Sequence, residues 1–98
     1  MAQLDVYRLA DGGLVLDCQS TRFDNIGTRL VVPLVPGDHA PPRNARLNPT
    51  LDVDGERVMM VTQFATSIRT QELRRRVGNL TDHRDEIVAA LDTLIGIG

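Results

Sequence analysis

LTDHRDEIVAALDTLIGIG, residues 80–98, decides the fold class, because its apolar residues recur at helical spacing while the chain before it alternates. Ile87, Leu91, Leu94 and Ile95 fall at i, i+4, i+7 and i+8, which is one face of a helix. Thr81 or Asp82 can cap it, and Asp85 and Glu86 in the first turn suit the positive end of its dipole. Gly96 and Gly98 read as a C-cap and a flexible end, with Leu94 as the last core residue. The expectation is a single α+β domain over residues 1–98, with strands first and one helix last.

Upstream, Leu51-Asp52-Val53 and residues 57–61 flank Asp54-Gly55-Glu56, a tight hairpin signal. A second hairpin joins residues 4–8 to 14–18 through Asp11-Gly12-Gly13, with Leu14, Leu16 and Cys18 on one face and Val15, Asp17 and Gln19 on the other. Residues 28–32 form a third strand, apolar on both faces, that ends at Pro33 or lies at an edge. Residues 35–46 hold Pro36, Pro41 and Pro42 and read as a poorly ordered loop. Residues 64–68 make another short strand.

Composition excludes several functions. Three aromatic residues (Tyr7, Phe23, Phe64) and no Trp leave no base-stacking platform. A net charge of −2 gives no bulk attraction to nucleic acid or anionic lipid. No apolar run has signal-peptide or membrane length, so the expected compartment is the cytoplasm, with no membrane partner. His39 and His83 lie in no metal or triad spacing, so neither a catalytic residue, a metal nor a cofactor is expected. Cys18 reads as a small buried hydrophobe, and Arg74-Arg75-Arg76 as a solvated surface or an anion patch. Met59 and Met60 face opposite sides of a strand, and the outward one suits a subunit interface in a homodimer.

In order and spacing, "VYR", "LDCQS", "TRLVVPL", "DGERVMMVT" and "LTDHRDEI" resemble the CcdB toxin family nearly end to end. The resemblance implies a small SH3-like β-barrel of antiparallel strands with a three-stranded extension and a C-terminal helix, assembled as a homodimer. It implies a toxin that binds the A subunit of DNA gyrase and traps cleaved DNA without catalysis. A CcdA-like antitoxin, largely disordered alone, extracts it and contributes the DNA-binding part of operon repression, so this chain meets DNA only indirectly.

The family contacts its target through a terminal Trp-Gly-Ile. Here Gly96, Ile97 and Gly98 fall at those positions, or Ile95-Gly96-Ile97 after a shift of one, and Trp is absent either way. The resemblance assigns further gyrase contacts to Leu4, Ser20, Arg22, Phe23, Asp92 and Ile95, with Arg22 replacing an apolar residue and Asp92 a neutral amide. It assigns antitoxin contacts to Asp11, Gly12, Gly13, Arg43, Asn44 and Arg46. Two alternatives follow. One is a homologue that keeps dimerisation and antitoxin binding but has lost gyrase poisoning. The other is an endoribonuclease on the same fold, which would draw on Arg29, Arg43, Arg46 and His39.

Overall fold

The computed structural model describes residues 2–96, and in it the terminal helix α1 spans Arg84–Ile95. Its start is prepared a turn earlier than its sequence suggests. The Asn79 side-chain oxygen accepts from the Thr81 amide at 2.8 Å and from the Thr81 hydroxyl, and a 3-10 turn, Thr81–His83, leads into α1. Neither Thr81 nor Asp82 caps α1: His83 holds the N-cap position and makes no side-chain cap bond. An asparagine that bonds backbone two residues ahead does this work instead. Ile87 and Ala90 are fully buried and Leu91 packs beside them, but Leu94 and Ile95 are 41% and 64% exposed. Leu94 is therefore not a core residue, because the helix leaves the sheet in its last turn.

Among the described residues, seven strands form one curled antiparallel sheet: β1 (Asp5–Arg8), β2 (Leu14–Asp17), β3 (Thr28–Pro36), β4 (Thr50–Val53), β5 (Glu56–Met60), β6 (Thr66–Arg69) and β7 (Arg75–Asn79). The order is β4-β5-β3-β2-β1-β7, with β6 also paired to β3. The expected α+β arrangement is therefore present. The β4–β5 turn has positive φ at both Asp54 (51°) and Gly55 (81°), the mirror-image turn whose twist suits a two-residue hairpin.

Contrary to the sequence expectation, β3 neither ends at Pro33 nor lies at an edge. Its first half pairs β6 (Thr28↔Arg69 through Val31↔Thr66) and its second half pairs β5 (Leu34↔Met60 through Pro36↔Val58). The Leu30 carbonyl accepts from Cys18 on the β2 side, so alternation turns the Pro33 backbone the other way. Its carbonyl takes the Val61 amide at 2.9 Å, and its missing N–H falls where pairing passes from β6 to β5. A central proline costs little there, since no ladder bond is lost.

Both faces of the sheet are apolar. Leu14, Leu16, Val32, Leu34, Val58 and Met60 share the main core with Ile87 and Ala90 of α1. On the opposite face Tyr7, Val15 and Val31 pack against Leu73. Met59 is 4% exposed, beside Ala40, Pro41 and Pro42, so it is not the outward methionine that the strand pattern suggests. Residues 35–46 also divide. Val35 and Pro36 belong to β3, Gly37–His39 is a 3-10 turn, and the far end is tied down by fully buried Asn48. Asn48 accepts from the Asn44 amide and donates to the Met60 carbonyl and the Gln63 side chain.

At the β1–β7 seam, the buried Asp5 carboxylate accepts from Arg76 Nε (2.9 Å), Asn79 Nδ2 (2.9 Å) and the Ala2 amide (3.0 Å). Burial pushes the Asp5 carboxyl up, but these bonds outweigh it and hold it below its ordinary value. The stabilisation is thus complete above the ordinary carboxylate value and lost as pH falls through the lowered one. Denaturation of wild type and Asp5→Asn against pH is expected to show a gap that is full near neutrality and closes below about pH 4.

Candidate partner-binding surfaces

The first surface is the end of α1. Gly96 adopts φ +82°, and its amide bonds the Asp92 and Thr93 carbonyls, so the helix closes in a left-handed cap that a Cβ would strain. Leu94 and Ile95 are left exposed beside it, and Val88 is exposed about two turns earlier on the helix. Asp92 faces the groove described below. Ile97 and Gly98, two of the expected target contacts, lie outside the described residues. Leu4 is corrected: it is 2% exposed at φ +71°, its amide bonding Asp17 and its carbonyl taking Leu80. A side chain inside the main core cannot be a surface contact.

The second surface is the segment between β2 and β3. Ser20 Oγ accepts from the Arg22 amide and opens a 3-10 turn, Thr21–Phe23. Gln19 stitches the segment, donating to the Phe23 and Thr28 carbonyls and accepting from the Leu30 amide. Arg22 is exposed, and Phe23 and Ile26 stand 53% and 57% exposed.

Beneath this segment lies a network that sequence reasoning missed. Arg29 is fully buried; its Nε and Nη2 grip the buried Asp17 carboxylate at 3.0 Å, Nη2 also reaches the Gln19 carbonyl, and Nη1 meets Asp24 at 2.5 Å. Burial works against the Arg29 charge, but its carboxylate partners raise its pKa above the ordinary value. Burial pushes the Asp17 carboxyl up, and the bonds from Arg29 oppose that rise. The available signal was charge at inward strand positions: Asp17 and Arg29 alternate onto the face of Val15 and Val31.

The third surface is a groove of about 790 Å³ between α1 and the 43–57 region. Arg43, Arg46 and Arg57 stand on one wall and Glu86 and Asp92 on the other. Arg43 is oriented by a bond to the Asn48 carbonyl, and Arg57 by Asp52 and Thr50. The structure thus brings Arg43 and Arg46, expected antitoxin contacts, together with Asp92, an expected gyrase contact. Asn44 is turned toward its own loop, its side chain taking the Arg46 and Leu47 amides. Asp11, Gly12 and Gly13 form the β1–β2 turn, where Asp11 accepts from the Gly13 amide and Arg8 bonds the Gly12 carbonyl. They line other grooves.

The four residues an RNA-cutting site would draw on are not assembled. Arg29 is buried and fully engaged, and exposed His39 pairs with Asp38 at 3.6 Å outside the groove that holds Arg43 and Arg46. His83 contacts Glu86 at 3.2 Å. Among the described residues no group of His, Cys, Asp and Glu has metal-holding geometry, and no helix is long and apolar enough to cross a membrane. Cys18 is buried, and burial together with the Asp17 charge pushes its thiol up to about 12. A thiol reagent at mildly alkaline pH is therefore expected to leave native protein unlabelled and to titrate Cys18 in denaturant.

The family model described as CcdB protein matches residues 3–96. No curated protein matches the chain. Among solved structures, an endoribonuclease from Mycobacterial species is similar, with TM-score 0.79 at 18% identity over 99% of this chain and 92% of that one. At that identity the likeness is one of fold.

Proposed function

The chain belongs to the CcdB family, whose model spans residues 3–96, and is a toxin of the toxin–antitoxin kind; we propose that it binds the A subunit of DNA gyrase, holds that enzyme on cleaved DNA and performs no catalysis itself. The observation that carries this reading is the exposure of Phe23 (53%) and Ile95 (64%) at positions that the resemblance assigns to target contact. Large apolar side chains displayed on a hydrogen-bonded turn and at a capped helix end are anchors for a partner's pocket. Arg22 and Asp92, charged where the family is neutral, tune that fit to a different target surface.

The working unit is a homodimer, because Phe64, Val88 and Leu94 leave further apolar surface to cover and two-fold self-association covers it. A cognate antitoxin neutralises the toxin. The groove where Arg43 and Arg46 face Asp92 makes its path overlap the target surface, so the two partners compete. The RNA-cutting reading is disfavoured by Arg29, whose donors are occupied by Asp17, Asp24 and Gln19.

Calorimetric titration of the full chain into purified gyrase A subunit tests the reading. Saturable binding is expected, with a stoichiometry of one toxin dimer per gyrase A dimer. Absence of binding, in a chain that is folded by circular dichroism, overturns it.

A further inference from the structure

Every residue in 21–28 is exposed, so apolar burial does not hold the turn that displays Phe23. A loop held by few contacts samples many conformations, and a partner that binds its side chain must first order it. We propose that the buried Asp17–Arg29 pair is a clamp that pre-orders this turn, with Gln19 and Asp24 as positioning residues that carry its grip to Phe23. The inference rests on the reading in which Phe23 contacts gyrase.

The clamp has two arms. In the first, the Gln19 amide donates to Asp17 Oδ1 at 3.1 Å, and the Gln19 carbonyl accepts from Arg29 Nη2 at 3.1 Å. With its backbone fixed on both sides, the Gln19 side chain donates to the Phe23 and Thr28 carbonyls and accepts from the Leu30 amide, each at 2.9 Å. In the second arm, Arg29 Nη1 holds the carboxylate of Asp24, the residue that follows Phe23. Phe23 is therefore gripped at its own carbonyl and at the next side chain, while the Thr70 amide ties down the Gly27 carbonyl further along.

The root of both arms is shielded from solvent. The Arg29 and Asp17 side chains are fully inaccessible, and the 44% exposed Asp24 carries the contact out to the rim. Bonds to a water-excluded charged pair are stronger than the same bonds in water. A guanidinium is suited to the task, because its rigid fork serves Asp17, Gln19 and Asp24 at once, as a lysine ammonium cannot. Replacing a buried ion pair by apolar side chains of similar volume is often neutral for stability. Stability alone therefore does not call for this pair, whereas holding an exposed turn does.

The test is a double-mutant cycle with the full chain and purified gyrase A subunit. Gln19→Ala/Asp24→Ala keeps the Asp17–Arg29 pair, so no buried charge is stranded, and thermal melts check the fold. This double variant is expected to bind gyrase about tenfold more weakly than wild type. In a Phe23→Ala background the same two substitutions should change binding by less than about twofold, because the anchor they orient is gone. Asp24→Asn, which keeps an oxygen for Arg29, should stay within about threefold of wild type. In the free protein, the Arg22, Phe23 and Asp24 amides, bonded within the turn, should exchange with solvent about tenfold faster in the double variant.

Equal gyrase affinity of wild type and double variant, or unchanged amide exchange, overturns the inference. So does a loss that persists undiminished in the Phe23→Ala background, which would place Gln19 or Asp24 in direct contact with the target. A folded wild type that does not bind gyrase overturns the functional reading and this inference with it, whereas the other three results overturn this inference alone.

Discussion

Arg29→Ala is expected to cost about 3–5 kcal/mol of folding stability, because it strands the Asp17 carboxylate inside the protein without a counter-charge. Both side chains are fully inaccessible, and Arg29 also holds Asp24 and the Gln19 carbonyl. Against a typical total of about 5–15 kcal/mol, such a loss leaves a small domain marginal. Urea denaturation should show a midpoint far below wild type, whereas exposed Arg22→Ala should shift stability by no more than about 0.5 kcal/mol. Losing Arg29 also removes what opposes the rise of the Asp17 carboxyl. The lone acid then takes up a proton more readily in the fold than in the unfolded chain, so the deficit should shrink as pH falls. An Arg29→Ala protein as stable as wild type at neutral pH would show that the pair contributes nothing.

The second large effect concerns the target. Ile95→Asp is expected to weaken gyrase binding by about 30-fold or more, the loss of a hot-spot anchor of about 2 kcal/mol. It should leave folding stability within about 0.5 kcal/mol, because Ile95 is 64% exposed. Ile87→Ala, eight residues earlier on the same helix, should do the opposite. Ile87 is fully buried, so its truncation should cost about 2–5 kcal/mol of stability while the remaining folded protein binds normally. Adding an indole with Ile97→Trp should strengthen binding, since it restores an aromatic face for a cationic partner. Equal gyrase affinities for wild type, Ile95→Asp and Ile97→Trp would remove the helix end from the interface.

Much of the fold was legible because local chemistry and tertiary packing agree. Asp54-Gly55 specifies a mirror-image turn on its own, and Ile87 with Leu91 specifies the buried side of α1. Legibility failed where the answer depends on a distant neighbour. Pro33 looks like a strand end until β3 is seen to change partners at that residue. The arginine run at 74–76 hides β7, because the strand is recognisable only from its pairing to β1 and the Arg76–Asp5 bond. Met59 seems to face outward until the 37–43 segment is seen beside it. Among the proposed target contacts, the sequence pattern left Phe23 and Ile95 free of the core, and both are exposed. The site was illegible at Leu4, which a positive φ and two backbone bonds hold in the core. Asp17 and Arg29 carried a signal in their inward strand positions, but no spacing rule links Asp24 to them, since the three meet only through the turn between β2 and β3.

The central claim, that this toxin works by occupying gyrase and not by cutting a substrate, is tested most directly by one incubation of the purified chain with gyrase, plasmid DNA and cellular RNA. Accumulation of gyrase-linked cleaved DNA with RNA left intact is the expected result. Fragmented RNA with uncleaved plasmid would contradict it, and would require Arg29 or another basic side chain to be freed for chemistry that its ion pairs to Asp17 and Asp24 oppose.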